Sequence, residues 1–300
     1  MNVDAIVECI ESEDENIFSG RITKVEFFSD EDDTLCNHCR SLDGKIFDIT
    51  ADDLPLLPVH PHCRCKYVVP GSPGRDISHA VEKYRICCHL VAHKDISATL
   101  ARELAGEVIR ARKENKKIRE TDWFMLFNGR YFFSSDGKFI VDAVAGQPVD
   151  KRVELLQATS YGFVRRVRKT YFDYSVKRQG EANKGGLPCG LYHAKTKESG
   201  SFWNGNVSKH GIRRISWGTY HWQLVPDEEN DMRGRKKDSF TIHGGLFPQS
   251  AGCIDLTSHD GEFRDYIRST GREKMCVYVQ YARETVILEE DASRSFIFPY

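Results

Sequence analysis

The residues best suited to chemistry lie in one stretch, Phe240-Thr241-Ile242-His243-Gly244-Gly245-Leu246-Phe247-Pro248-Gln249-Ser250-Ala251-Gly252-Cys253-Ile254-Asp255-Leu256. A free thiol is only a few per cent thiolate at neutral pH, so a nucleophilic cysteine needs a base or a cation beside it. His243 can be that base for Cys253 if the chain between them folds back. The spacing predicts an apolar strand that delivers His243 into a glycine-rich loop opening at Gly244, and a return through Ser250 and Gly252 to Cys253. With Gly252 before the nucleophile, a substrate carbonyl can approach the backbone. There the Cys253 N–H and neighbouring amides would stabilise the oxyanion that develops on attack. Ser250 either fixes the loop or orients the imidazole. For a cysteine taken alone, an inert buried thiol is the commoner fate; the register of His243, Ser250 and Gly252 favours the catalytic role. His221 and His259 lack a comparable setting and read as structural or solvent-facing.

A second group of chemically capable residues lies near the N-terminus. Cys36-x2-Cys39 is followed after a gap by Cys63-x-Cys65, with His60 and His62 alongside. Two close pairs of soft ligands suit tetrahedral zinc. The expected ligands are Cys36, Cys39, Cys63 and Cys65, with His60 or His62 as a substitute. The Cys-x-Cys pair is tighter than the usual Cys-x2-Cys, so reduced thiols or a disulfide stay open. Nothing in the pattern suggests a catalytic metal or another cofactor for catalysis. Cys9, Cys87, Cys88, Cys189 and Cys276 read as small buried hydrophobes.

The elements that must hold these groups follow from periodicity. Thr23 to Phe28 alternates as one strand, in an acidic stretch that resembles the tail of something longer. Pro70-Gly71-Ser72-Pro73-Gly74 can continue neither helix nor strand and is expected as a linker. Asp76 to about Ile118 reads as helical, clearest where Ile96, Leu100, Leu104 and Val108 recur, with cations from Arg110 to Lys117 at the end a helix dipole favours. After Thr121 the period changes. Asn128-Gly129 and Asp136-Gly137 between apolar runs predict a meander through Trp123–Phe127, Arg130–Phe133 and Phe139–Val144. Further strands are expected at 162–175, 190–194, 217–225, 239–243, 275–281 and 285–289, with a short helix near 262–269. The expected fold is α+β: a Cys-rich module over 1–75, a helical connector over 76–120, and a mainly β catalytic domain over 121–300.

Bulk properties narrow the partners. The 300 residues carry a formal charge of −1, which gives no electrostatic case for nucleic acid or an anionic membrane surface. The charge is uneven: residues 1–66 hold 15 Asp/Glu against 6 Lys/Arg, leaving a basic excess in the remainder. That remainder could favour an anionic polymer such as cell wall, or could be ordinary solvated surface. No apolar run reaches the roughly 18 to 20 residues of a membrane span, and the start is acidic where a secretory signal is basic. The expectation is a chain made soluble in the cytoplasm without its own export tag.

Two resemblances refine this reading. His243-Gly244-Gly245 followed by Ser250-Ala251-Gly252-Cys253-Ile254 resembles the active-site signature of the L,D-transpeptidase family, most closely its toxin-like effector branch. Ala143 to Pro148, Lys184 to Tyr192 and Trp217-Gly218 extend the likeness over roughly residues 121–290. The resemblance implies a cysteine-nucleophile peptidoglycan hydrolase or transferase. A thiolate attacks the carbonyl of a diamino acid in a stem peptide; water completes cleavage, and an amine completes cross-linking or exchange. Many members carry Arg two places after the motif cysteine, where this chain has Asp255. Arg233 or Arg235 is the candidate replacement for holding a substrate carboxylate. Cys36 to Phe47 with His60-Pro61-His62-Cys63-Arg64-Cys65 resembles the C-terminal end of phage minor head proteins of the Mu F type, over about residues 20–70, without that family's helical body. Together the two imply a phage-associated or secreted antibacterial toxin, carried by a particle or secretion apparatus to the periplasm of a target cell, with an immunity partner left open. The competing expectation is a virion or head-associated interaction protein whose zinc module matters and whose C-terminal domain binds wall without turnover. A peptidase using the same dyad on protein substrates is a third.

Overall fold

A computed structural model describes residues 15–29, 36–51, 53–55, 57, 59, 63–72, 74–93, 96–118, 123–156, 165–201, 218–245 and 248–291. The fold is mixed α+β. It divides into two compact units, residues 1–123 with 135–138, and residues 124–134 with 139–300. Among the described residues, no helix is long and apolar enough to cross a membrane.

In the first unit, β1 (Lys24–Phe28) is the centre of a three-stranded antiparallel sheet between β2 (Ile46–Asp48) and β3 (Lys66–Val68). Val25 and Phe27 alternate into the interior, as the period of two requires. A short helix, α1 (Asn37–Leu42), connects β1 to β2. The stretch expected as a linker forms a tight turn: Val69 bridges Ser72 around Gly71, whose φ of +77° only glycine adopts readily. The chain then folds back, with the Ile77 N–H donating to Tyr67 C=O at 2.9 Å. The single helical stretch expected from 76 to 118 is two helices, α2 (Ser78–Val91) and α3 (Ala98–Glu114). The break follows from capping, because the Ser97 hydroxyl takes the Leu100 N–H and starts a new helix. Ala80 and Val81 of α2 share one apolar cluster with Val25, Phe27, Ile49, Leu54 and Tyr67.

The second unit is mainly β. Its principal sheet contains β4 (Phe124–Phe127), β5 (Tyr131–Ser134), β6 (Ile140–Asp142), β7 (Val144–Ala145), β10 (Gly190–Lys195), β12 (Tyr220–Pro226), β13 (Phe240–His243), β14 (Ile254–Asp255) and β15 (Lys274–Val279), with β11 (Gly200–Ser201) on β12. The order is β6-β5-β4-β15-β10-β12-β13-β14-β7. A second sheet joins β8 (Asp150–Leu156), β9 (Arg165–Asp173) and β16 (Thr285–Asp291). The Asn128-Gly129 signal makes the expected hairpin: Asn128 Oδ1 accepts the N–H groups of Arg130 and Tyr131 at 3.0 and 2.8 Å, and Gly129 takes φ +95°. One short helix, α4 (Val176–Gln179), follows β9. The other, α5 (Asp260–Ser269), buries Phe263 against Trp222 and Phe132 with centroids 4.7 and 5.2 Å apart. That anchors one side of β12 next to the strand that ends at His243.

Two pairings in this sheet are parallel, β4 with β15 and β13 with β14. The second matters for function. Parallel neighbours cannot be joined by a tight hairpin, so the chain leaving His243 must cross over before it enters β14. The segment 244–253 is that crossover.

Candidate active site

The apolar strand expected before His243 is β13, with all four residues buried. In register, Ile242 faces Ile254 and His243 faces Asp255 across the parallel pair. Cys253 therefore lies one residue before β14 begins. Its sulfur accepts the Thr241 N–H at 3.4 Å and lies 3.8 Å from Ser239 C=O. The thiol thus takes up a peptide donor of β13 just before β14 starts. Cys253 is 4 % exposed and His243 is 2 % exposed.

The crossover is held by polar contacts. Ser250 Oγ donates to Cys253 C=O at 2.6 Å and accepts the N–H groups of Gly146 and Gly252 at 2.9 and 3.2 Å. Of the two roles expected for Ser250, these bonds serve the first, fixing the loop. Gly252 has φ +123°, and a Cβ there would lie 2.2 Å from an Arg235 guanidinium nitrogen. Gly244 is confined as well: a Cβ would lie 2.6 Å from the Asp260 carboxyl. That carboxyl in turn accepts the N–H groups of Thr219 and Tyr220 at 2.6 and 2.8 Å, fixing the start of β12.

Burial sets the electrostatics. It pushes the Cys253 thiol upward, against the Thr241 hydrogen bonds and the Arg235 charge, which pull it down. It also holds His243 below its ordinary 6.5. Both groups are therefore neutral at neutral pH. Nδ1 of His243 lies 2.7 Å from Gly244 C=O. A carbonyl only accepts, so Nδ1 carries the proton and Nε2 is the basic nitrogen of the neutral ring. The imidazole ends β13 and the thiol immediately precedes its parallel neighbour β14, with Nδ1 engaged by the loop backbone and the sulfur by Thr241 and Ser239.

Three further residues belong to this neighbourhood. His221 on β12 is the direct register partner of His243, a relationship set by antiparallel pairing across a long loop and therefore invisible locally. Arg235 reaches four backbone carbonyls: Gln179, Gly185 and Gly186 at 3.1 to 3.2 Å, and Ala251 at 2.8 Å. Its guanidinium also lies 4.7 Å from the Phe240 ring centroid. This is a clamp on the loops around Cys253 rather than an open fork for a substrate carboxylate. Arg233, the other candidate, pairs with Asp231 at 3.4 Å. Asp255 is fully buried, accepts the N–H groups of Gln249 and Thr257 at 3.1 and 2.8 Å, and is raised by burial from 3.8 to about 7. Leu246, Phe247 and Trp217 of the motifs lie outside the described residues.

In the first unit, the sulfurs of Cys39, Cys63 and Cys65 lie within 4.8 Å of one another, a group that could hold a metal ion. Cys39 and Cys63 sulfurs are 3.8 Å apart. Cys36 caps α1, its sulfur accepting the Cys39 N–H at 3.3 Å. Burial raises Cys39, and raises Cys65 to about 11. Burial also acts upward on Cys63, but N–H groups of Cys65 and Val59 and the neighbouring thiols outweigh it and leave Cys63 lowered. The Cys63 thiol therefore ionises before those of Cys39 and Cys65. His60 and His62, the substitute ligands, lie outside the described residues.

No protein-family model matches the chain, and no curated protein matches it.

Proposed function

We propose that the second unit is a cysteine-nucleophile enzyme of L,D-transpeptidase type, acting on peptidoglycan stem peptides through an acyl-enzyme on Cys253. One observation carries the reading. The Cys253 sulfur is buried against polar groups, the Thr241 N–H, the Ser239 carbonyl and the Arg235 charge, at the entry to the strand that pairs with that of His243. A cysteine that merely fills space would be surrounded by hydrocarbon. In the proposed reaction His243 removes the thiol proton through Nε2. The sulfur attacks the diamino-acid carbonyl, and the backbone N–H of Cys253 receives the oxyanion. Collapse expels the amine, which takes the proton from the imidazolium. Water or a second amine then releases the acyl group and regenerates the thiol.

The experiment is incubation of wild type and Cys253→Ala with purified muropeptides, with products identified by mass. The expected result is product from wild type and at least a thousandfold less from the variant. Absence of turnover in both, with equal wall binding, supports the second reading, a wall-binding interaction module. That reading draws on the 4 % exposure of Cys253, since a nucleophile must meet its substrate. Activity on peptides without D-centres would replace stem peptides with protein substrates.

We also infer that the first unit is a structural zinc module of minor-head type, with Cys36 joining Cys39, Cys63 and Cys65 as the fourth thiolate. The N–H···S bond from Cys39 to Cys36 is the outer-shell support a thiolate ligand takes. Zinc would supply the positive charge that lets four clustered sulfurs ionise together. Carriage by a phage particle or a secretion apparatus follows from the same reading; absence of the chain from purified particles and from secreted material would refute it.

A further inference from the structure

Outside the Cys253 neighbourhood, the second unit sets a cysteine, a histidine and an aspartate in line. Cys276 on β15 and His193 on β10 are cross-strand partners. The Cys276 sulfur lies 3.6 Å from His193 Nδ1, and His193 Nε2 lies 3.4 Å from Asp227 Oδ2 at the end of β12. The two ring nitrogens thus face different partners. A carboxylate on Nε2 keeps the proton there, which leaves Nδ1 free to accept from the thiol. Two residues further along, on the same face of the strand pair, Lys195 stands opposite Lys274, and both are exposed. The His193 side chain is 49 % exposed and Cys276 is half-buried. The sulfur therefore has a base within reach, two lysines on the same sheet face and a route to solvent, the setting in which thiols react rather than merely pack.

We propose that Cys276 is a second reactive thiol, with His193 as its base and Asp227 as the positioning residue, and that its substrates are small disulfides. The thiol proton passes to His193 Nδ1 as the sulfur attacks one sulfur of the disulfide. The S–S bond breaks, a new bond joins Cys276 to half of the reagent, and the departing thiolate takes the proton from the imidazolium as a free thiol. No external oxidant is needed, because the disulfide is both reactant and oxidant. The proposal stands independently of any role for Cys253.

The test uses the full chain with oxidised glutathione and follows each cysteine by mass. Trypsin, cutting after Lys274 and Arg283, isolates Cys276 as the one cysteine in residues 275–283. The expected outcome is a mixed disulfide at Cys276, formed about tenfold or more slowly in His193→Ala and several-fold more slowly in Asp227→Asn. Modification at exposed Cys88 should keep its rate in both variants. Equal Cys276 rates in wild type and His193→Ala, or no adduct at Cys276 at all, would overturn the proposal. If His193→Ala loses its fold, shown by every cysteine reacting faster, Asp227→Asn decides: an unchanged Cys276 rate there overturns it.

Discussion

In the first unit the sulfurs of Cys39, Cys63 and Cys65 have one another as neighbours, whereas Cys253 in the second has peptide groups and a guanidinium. Cys39 and Cys253 are buried and Cys63 and Cys65 half-buried, and desolvation is the leading influence on each of these thiols. The difference lies in what else is present. Sulfur beside sulfur concentrates negative charge that only a cation can relieve, which is how a ligand set is built. Sulfur beside N–H donors and an arginine, one strand from an imidazole, stays neutral until a base removes its proton. Neighbours, more than depth, separate the two fates.

The largest effect expected from this contrast is on the metal side. Strong chelation, or Cys39→Ser, should unfold the first unit, since a structural zinc contributes apparent stability on the order of 10 kcal/mol. Hydrogen exchange should then show protection lost over 24–68 and kept over 240–256. Unchanged exchange after chelation would remove the metal from the comparison. Next comes the base: His243→Ala should reduce kcat/KM by roughly 10²- to 10⁴-fold on muropeptides with the fold intact. Because burial holds the imidazole below 6.5, its neutral form persists into more acidic solution, so the acid limb of kcat/KM should fall below pH 6.5. A limb above that value would take the proton-accepting role from His243.

A smaller loss is expected from Arg235→Lys, which keeps the charge but cannot span four carbonyls. A fall of about tenfold in kcat and on the order of 2 kcal/mol in stability would fit the hydrogen bonds removed. Retained stability with lost activity would instead make Arg235 a substrate ligand. The subtlest effect concerns Asp255. Its carboxyl is raised from 3.8 to about 7 in the folded state, so folding takes up a proton between those values. Its contribution to stability is complete below the unfolded value and is lost as pH rises through about 7. Denaturant midpoints should decline across that window, and an Asp255→Asn chain should show a flatter decline.

The legibility of the sequence followed the range of the interaction. Local signals read well: Asn128-Gly129 gave its hairpin, the alternation around Val25 and Phe27 gave β1, and the run from Phe240 to His243 gave β13. Two α-helices emerged where one was expected, because Ser97 was not recognised as a cap. What local patterns could not show was pairing between distant segments. Nothing near His221 announces that it stands opposite His243, and nothing near Arg235 announces contacts to Gln179, Gly185 and Ala251. Two-residue strands such as β7 and β14 are too short for any periodicity, yet they flank Cys253. For Cys276 the expectation of a small buried hydrophobe missed His193, whose proximity exists only across the β10–β15 ladder.

The Arg235 clamp also bears on the order in which the protein comes together. It ties residues 179, 185 and 186 to residue 251 across a long stretch of chain, and such contacts form only after the loops between them have closed. The last turn before Cys253 can therefore take its shape only once the body of the sheet has assembled. A partly synthesised or half-folded chain would carry the same cysteine without its surroundings.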